Sequence, residues 1–406
     1  MDALAAASRP AVSRGRKLLF SAIVAPLVAV ALGEIVARLV LPPRATSFGA
    51  VAAGDDREQR EFERRHPESR TVTHTNNSAV LQVSGSGGMR LRASTSVVIQ
   101  HHMWSHLDVL VRTNSIGYRN PELGPKTKRR VLFLGDSITL ADYLPEEQTF
   151  VRLVEMLTSQ GPQPLETVNS GVSAIGTENE LGILLDTGFG IAPDDVVVDF
   201  YLNDVEPSPF IRPVELPAFL RWSRLAAEVA VRLQRARAAW ELGHRSGSSG
   251  DARAHWLDEI HHDFPPGPGD PRRDPAAFHA QVAGAIDDWG TAWSRSVWTR
   301  LDSLLDEMKR ETDRRGVALH LVLFPVRPQV EAEFLDDWPQ QQARAWASAN
   351  GVDALDLLPL FRKAEREPHP PFFYDQCHPT AEGHRRIAGW IAAFLTRHEA
   401  PPVTPR

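Results

Sequence analysis

An alternation of short apolar runs with longer segments of helical periodicity, from Arg129 to Arg397, most constrains the fold. The run 131–135 (VLFLG) is continuously apolar, as expected for a parallel strand buried on both faces. Further strands are predicted at 165–171, 194–204, 317–325 and 352–357, and helices at 149–159, 178–187, 290–315, 329–349 and 380–397. This order favours a doubly wound α/β fold of three layers, in which a parallel sheet lies between helices. Ligands of such sheets bind at the carboxyl ends of the strands.

Composition excludes several classes of protein. The 406 residues are 42% hydrophobic and 24% charged, which is typical of a globular chain and not of a disordered or polytopic membrane protein. A net charge of −6 argues against a nucleic-acid partner. The single cysteine, Cys377, excludes a disulfide scaffold and any multi-cysteine metal site, and we expect neither a metal nor another cofactor.

The N-terminus predicts a membrane anchor. Four basic residues precede the apolar run 18–33, which spans only about 24 Å as a helix, whereas an extension to Leu41 reaches about 36 Å. Glu34 and Arg38 would then reach the headgroups, and the basic flank predicts an N-in orientation with the rest of the chain outside the cytoplasmic membrane. Two alternatives are a signal peptide cleaved near the small residues 29–31, and a buried amphipathic helix.

The remaining segments differ in composition. After the basic segment and anchor (1–43), a charged linker (44–70) leads into a β-rich lead-in (71–128) of short strands. The α/β domain is expected at 129–397 and a tail at 398–406. Residues 205–289 interrupt the α/β domain with Pro-rich pieces and a helical stretch, which is typical of a lid or of a variable surface insertion.

Two polar motifs lie where chemistry is expected. Ser137 belongs to a Gly-Asp-Ser turn that directly follows the first strand, where a nucleophile is exposed next to helix N-terminal amides. Asp375 precedes His378 by three residues in the loop before the last helix, so its carboxylate can bind Nδ1 and leave Nε2 free as a base. Each motif alone is also common in ordinary turns and helix caps.

Gly171 and Asn203 lie at the ends of two further predicted strands. A glycine there permits close approach of a ligand to the backbone, and the Asn203 amide can donate to a developing negative charge. Because the ends of parallel strands meet at one edge, the sequence predicts that these residues converge with Ser137, Asp375 and His378.

This order of motifs resembles the SGNH hydrolases, also called GDSL-type esterases or lipases, over roughly residues 114–397. The resemblance implies a flavodoxin-like fold with a five-stranded parallel sheet, and Ser137 as the nucleophile. It further implies His378 as the base held by Asp375, and an oxyanion hole formed by the N–H groups of Ser137 and Gly171 and by the Asn203 side chain. Leu140 and Ala141 stand where many members carry a glycine.

The expected function is a serine esterase that hydrolyses short-chain or O-acetyl esters through an acyl-enzyme, with an acylated glycan or a lipid as substrate. The same residues would serve an O-acyltransferase, and a non-catalytic tethered binding protein is the other alternative. The sequence favours less strongly a nucleophilic Cys377 and metal sites formed by the histidines 101, 102 and 106 or by the helical set 255, 259 and 262. The six tryptophans between 222 and 298 are expected mainly to pack on the core.

Overall fold

The computed structural model describes residues 89–99, 104–205, 269–285 and 288–397. It also describes shorter pieces: residues 24, 28–39, 48–50, 72–73, 80–83, 102, 211–213, 223, 225–226 and 229. Strands of the described residues are β1 (Phe48–Ala50), β2 (Val72–Thr73), β3 (Leu81–Val83), β4 (Met89–Leu91), β5 (Ser96–Ile99), β6 (Val109–Arg112), β7 (Arg129–Leu134), β8 (Leu165–Asn169), β9 (Asp195–Phe200), β10 (Ile211–Pro213), β11 (Ala318–Leu323) and β12 (Asp353–Asp356).

Five of these strands form the central sheet, and all of them are parallel. Their order is β12–β11–β9–β7–β8, the flavodoxin-like order, which confirms the α/β class and the five-stranded sheet. Every residue of β9 is buried, as are Val131 to Leu134 of β7, as expected for strands covered on both faces. Strand β8 is added on one side of β7 and strand β9 on its other side, so the strand order switches between β7 and β9 and the crevice for ligands lies beyond the carboxyl ends of these two strands.

The helices are α1 (Ser137–Leu140), α2 (Phe150–Thr158), α3 (Thr177–Ile183), α4 (Pro275–Gly284), α5 (Arg295–Asp313), α6 (Arg327–Glu331), α7 (Trp338–Ala349), α8 (Leu358–Ala364) and α9 (Ala381–Arg397). Helix α2 packs on α9 and helix α3 packs on α5. Since crossovers between parallel strands are right-handed, the switch in strand order between β7 and β9 places α2 and α3 on opposite faces of the sheet.

The lead-in forms small β layers that are bonded to the α/β domain. Strands β2, β5 and β6 make one sheet, and β3 pairs with β4. The Asn179 side chain of α3 accepts from the Met89 N–H at 3.0 Å and donates to the Met89 carbonyl at 2.9 Å, so it completes the edge of β4. Arg90 forms an ion pair with Asp186 at 2.9 Å. The predicted β-rich lead-in is therefore present and packs directly beside the sheet domain.

The last part of the predicted insertion belongs to the core. Phe278 of α4 and Trp289 are fully buried, and Trp298 is 5% exposed. Trp293 is half-buried and donates from Nε1 to Asp336 at 2.9 Å. These tryptophans pack as expected, whereas Trp222, Trp240 and Trp256 lie outside the described residues.

Residues 28–39 are helical, but Glu34 does not take the expected place. Its Oε2 accepts from Ser223 Oγ at 2.8 Å and from the Leu225 N–H at 3.0 Å, and its Oε1 pairs with Arg38 at 2.7 Å. Glu34 is thus buried against the insertion instead of reaching outward, because the first residues of that segment supply the donors it needs. Strand β1, within the predicted linker, also pairs antiparallel with β10 of the insertion.

Among the helices within the described residues, none combines the length and the apolar character needed to cross a membrane. Residues 18–23, 25–27 and 40–41 of the predicted anchor lie outside the described residues.

Candidate active site

The turn after β7 presents Ser137 at the start of α1. Asp136 caps this helix, because its Oδ1 accepts from the Ile138 N–H at 2.8 Å. Gly135 has no room for a side chain: an added Cβ would lie 2.2 Å from Thr139 Oγ1 and 3.0 Å from Asp199 Cβ. The tight glycine turn therefore lets α1 begin directly above the sheet, with Ser137 half-buried at its edge.

His378 and Asp375 complete a hydrogen-bonded chain from Ser137. Ser137 Oγ lies 2.9 Å from His378 Nε2, and His378 Nδ1 lies 2.8 Å from Asp375 Oδ2. Asp375 Oδ1 accepts from the N–H groups of Cys377 and His378 at 2.9 and 2.8 Å. The loop is closed by a bond from the Tyr374 N–H to the His378 carbonyl at 2.8 Å. The structure thus brings together the three residues that the sequence nominated, although 241 positions separate Ser137 from His378.

The electrostatics of this chain suit proton transfer. Burial alone would raise the pKa of Asp375, but the charge and hydrogen bond of His378, with the two backbone N–H groups, hold that pKa below its usual value. Burial alone would lower the pKa of His378, yet the charge and hydrogen bond of Asp375, aided by Asp136 and Asp142, raise it above its usual value. An ionised Asp375 therefore favours the protonated form of His378, as a base requires.

Asn203 lies in the short 3-10 turn Leu202–Val205 that follows β9. Its side chain is hydrogen-bonded to the carboxylate of Asp288, and its own Oδ1 is buried without a partner among the described residues. Burial raises the pKa of this Asp288 carboxyl, so which of the two side chains donates depends on whether Asp288 carries a proton. Asn203 thus follows β9 as Ser137 follows β7, on the two sides of the crevice.

Gly171 differs from the expectation. Its N–H donates to Asn169 Oδ1 at 3.0 Å, and the residue is buried. An added Cβ would lie 2.3 Å from the Leu140 nitrogen and 2.8 Å from the Thr139 carbonyl carbon. The glycine is required here for close packing of the second strand end on α1, and its N–H is already engaged. The Gly171 N–H, predicted as an oxyanion donor, is therefore already bonded to Asn169, while the donor roles of Ser137 and Asn203 stay predictions.

Cys377 contacts the histidine but is poorly suited to act as a nucleophile. Its Sγ lies 3.3 Å from His378 Nδ1, so the two neighbouring side chains are in contact. Burial and the charges of Asp375, Asp288 and Asp136 raise the pKa of the Cys377 thiol well above its usual value. The thiol stays neutral, and His378 directs Nε2 at Ser137 instead.

Potential metal ligands converge at one place in the described part of the chain, namely Asp375, Cys377 and His378. The Asp375–His378 hydrogen bond uses the carboxylate and Nδ1 for each other. Of the histidines considered in the lead-in, His102 accepts from the Trp104 N–H at 3.3 Å within a turn, and His101 lies outside the described residues. The set 255, 259 and 262 lies outside them as well.

Two residues next to the site were not found from the sequence. Trp104 of the lead-in lies on the His378 ring, with ring centroids 3.7 Å apart. Asp288, beside the buried Trp289, accepts from Gln376 Nε2 at 3.4 Å and is also hydrogen-bonded to Asn203. The sequence around Trp104 is rich in histidines, and this pattern indicates metal binding more readily than an aromatic contact with His378.

The chain was compared with known proteins. No family model matches it, and the comparison with curated proteins finds no match. Solved structures do match, among them a protein described as lipolytic, of the G-D-S-L family, from Desulfitobacterium hafniense, with 9% identity and a TM-score of 0.36 over 66% of this chain and 99% of that chain. An acetyl xylan esterase matches with 13% identity and a TM-score of 0.37 over 66% and 99%. A catalytic mutant of an acetylxylan esterase from Geobacillus stearothermophilus matches with 14% identity and a TM-score of 0.37 over 67% and 95%.

Proposed function

We propose that this chain is a serine esterase of the SGNH type that cleaves O-acyl esters through an acyl-enzyme on Ser137. One observation carries the proposal: Ser137 Oγ, the His378 imidazole and the Asp375 carboxylate form a continuous hydrogen-bonded chain of 2.9 and 2.8 Å. This chain lies at the carboxyl edge of a parallel sheet, where such folds bind their ligands. The same chain of groups activates serine nucleophiles on unrelated folds.

The reaction would proceed in two steps. Ser137 Oγ attacks the ester carbonyl while its proton moves to His378 Nε2, and the Ser137 N–H and the Asn203 amide stabilise the oxyanion. The imidazolium then gives this proton to the leaving alcohol, and an acyl-serine remains. Water then attacks the acyl-serine while His378 takes its proton; the acyl–Oγ bond breaks, the carboxylic acid leaves, and His378 returns the proton to Ser137 Oγ. Asp375 stays ionised and holds the imidazole in one orientation throughout.

A fluorophosphonate probe tests the proposal together with p-nitrophenyl acetate hydrolysis. We expect the wild type to be labelled and to turn over, and Ser137→Ala to be unlabelled with its turnover reduced by about 10³-fold or more. Ser170→Ala, a change to a buried serine that bonds the Phe133 carbonyl, is the matched control and should keep its label. Full turnover in Ser137→Ala would refute the assignment.

The substrate proposed is a short-chain or O-acetyl ester on a glycan or a lipid. A series of p-nitrophenyl esters from acetate to palmitate measures the acyl preference, and a fall in kcat/KM beyond butyrate is expected. A rising kcat/KM toward palmitate would contradict the short-chain proposal. Labelling without hydrolysis, but with transfer of the acyl group to an added alcohol, would identify an O-acyltransferase.

We also propose that the chain is held by residues 18–41 in the cytoplasmic membrane, with the α/β domain on the outer side. The basic residues before the apolar run support this orientation. An alkaline phosphatase reporter fused after Arg406 should be active, since it folds only outside the cytoplasm, and the fusion should sediment with membranes. An inactive but intact fusion would contradict the orientation.

A further inference from the structure

We propose that Trp104 of the lead-in is a positioning residue for the base: its indole lies flat on the His378 imidazole, holds that ring toward Ser137, and stabilises the imidazolium that forms during the reaction. The inference rests on the proposed function, because it concerns how the same histidine accepts the Ser137 proton.

The contact is a close stack. The ring centroids of Trp104 and His378 are 3.7 Å apart and the planes differ by 26°. Tyr143 meets both rings edge-on, at 5.5 Å and 84° for His378 and at 5.3 Å and 78° for Trp104. One face of the imidazole is therefore covered by the indole, while a third ring holds the pair from the side. His378 is only 7% exposed as a result.

The backbone around Trp104 is shaped to present this ring. The His102 N–H donates to the Leu107 carbonyl at 2.8 Å, and the His106 N–H donates to the His102 carbonyl at 2.7 Å. His106 closes the turn with a φ of +57°, which a non-glycine residue rarely adopts. Trp104 Nε1 is buried without a hydrogen-bond partner in the described part of the chain, so no bond from the indole N–H accounts for its place. The stack on His378 does.

Tyr143 is itself fixed from behind. The Phe150 N–H donates to His384 Nδ1 at 3.0 Å, so the proton of this neutral imidazole is on Nε2, which faces Tyr143 Oη at 3.0 Å. Burial lowers the pKa of His384 to about 3, and this histidine therefore adds no charge beside His378. Tyr143, which packs against both Trp104 and His378, is therefore held in place by a neutral histidine.

The chemistry needs a stabilised cation at this point. When the Ser137 Oγ–H bond breaks and Oγ bonds to the acyl carbon, the proton goes to His378 Nε2 and the ring becomes positive. An indole face within about 6 Å attracts such a cation through its quadrupole. The other charged groups that face His378 are the carboxylates of Asp375, Asp136, Asp142 and Asp288. Cys377 and His384 face it as neutral groups. Of the two aromatic rings that contact His378 in the described part of the chain, Trp104 is stacked on the imidazole plane and Tyr143 meets it edge-on.

The test compares Trp104→Phe with Trp104→Met, which fills similar space without a π face. A cation–π contact of ordinary strength corresponds to about 2- to 30-fold in an equilibrium constant. For Trp104→Met we expect kcat to fall about tenfold with KM little changed. The acid limb of kcat/KM against pH should move to lower pH by about one unit, because a less stabilised imidazolium loses its proton sooner. For Trp104→Phe we expect kcat to stay within about threefold of the wild type and the acid limb to stay within a few tenths of a pH unit.

Trp390→Met is the matched control, since Trp390 is also half-buried and packs edge-on to Phe361 at 4.9 Å, within the α8–α9 layer. Its acid limb should stay at the wild-type pH, and melting temperatures should show that all variants are folded. An unmoved acid limb in Trp104→Met would overturn the inference, as would a Trp104→Phe variant as impaired as Trp104→Met. If Trp104→Met does not fold, the pH profile of Trp104→Phe is the remaining test. A shift of its acid limb by a full pH unit would contradict the stack, because phenylalanine keeps an aromatic face on His378.

Failure of this inference differs from failure of the proposed function. If the wild type is labelled by the fluorophosphonate and Ser137→Ala is not, the esterase assignment stands whatever the Trp104 variants show. If the wild type is neither labelled nor active, the assignment itself fails.

Discussion

Asn169, the last residue of β8, links that strand to helix α1 close to Ser137. Its Nδ2 donates to the Thr139 carbonyl at 2.7 Å, and its Oδ1 accepts from the Gly171 N–H at 3.0 Å. Thr139 in turn donates from Oγ1 to Asp199 at 2.8 Å. Single polar side chains therefore fix α1 to β8 and β9, and Ser137 inherits its position from them.

At the scale of single residues, Gly171→Ala distinguishes a packing role of Gly171 from a role in the oxyanion hole. The added Cβ would meet backbone atoms at 2.3 and 2.8 Å, which cannot move aside as a side chain can. We expect stability to fall by about 1–3 kcal/mol or more, measured by urea unfolding. Asn203→Ala should instead lower kcat by about 10²–10³-fold at nearly unchanged stability. A Gly171→Ala variant of normal stability but low kcat would return Gly171 to the oxyanion hole.

Among the connecting elements, the loop from α1 to Tyr143 depends on one buried arginine. Arg119 Nη1 donates to the carbonyls of Leu140 and Ala141, and Nη2 donates to that of Leu144 at 2.6 Å. Ala141 adopts a left-handed φ of +50° there, at a position where a glycine would be unstrained. Arg119 thus holds a loop that its own sequence does not favour.

Arg119→Met should expose this dependence. Three buried carbonyls lose their donor, each at a cost of about 1 kcal/mol or more, so we expect a loss of at least about 3 kcal/mol in urea unfolding. Esterase activity should fall with it, because the loop carries Tyr143. Arg314→Met, at an exposed ion pair with Glu311, is the control and should change stability by less than about 1 kcal/mol. Equal effects of the two variants would contradict this account.

Elements with strong local patterns were predictable, and contacts between distant segments were not. The run 131–135 contains most of β7, because a buried parallel strand needs a continuous apolar run. The predicted helix 329–349 is in fact two helices, and Pro339 in the first turn of α7 was the overlooked start signal. Ser137, Asp375 and His378 were found because each motif is local. Trp104 was missed because its contact with His378 is set by the packing of the lead-in.

Across the whole molecule, acidic side chains are buried under the site without matching cations. Glu180 is fully buried, and neither of its oxygens has a hydrogen-bond partner in the described part of the chain. Burial, with the charges of Asp136 and Asp199, raises the pKa of Glu180 well above its usual value. Burial likewise raises the pKa of Asp199 and of Asp204, and it raises the pKa of Asp136 to about 6. The folded chain therefore holds protons that the unfolded chain releases.

This sets the sign of the pH dependence. Where the folded state binds more protons than the unfolded state, the free energy of unfolding falls as pH rises. For these carboxyl groups the fall begins above their ordinary pKa values, near pH 4 to 4.5, and continues until each folded pKa is passed. Paired carboxylates such as Asp375, whose pKa is lowered, have the opposite slope at more acid pH. Stability should therefore be greatest on the acid side of neutrality.

The variant Glu180→Gln tests whether buried carboxyl groups cause the fall in stability with rising pH. Gln has the same shape and no proton to lose, so the variant should resemble the wild type near pH 4.5. At pH 8 it should be more stable than the wild type, and the gain should grow steadily from pH 4.5 to pH 8. Urea unfolding at pH 4.5, 6 and 8 measures the difference, with Glu367→Gln, at an exposed position, as the control. A stability gain that does not grow with pH would show that Glu180 is already paired, and that the buried acids do not set the pH optimum of the fold.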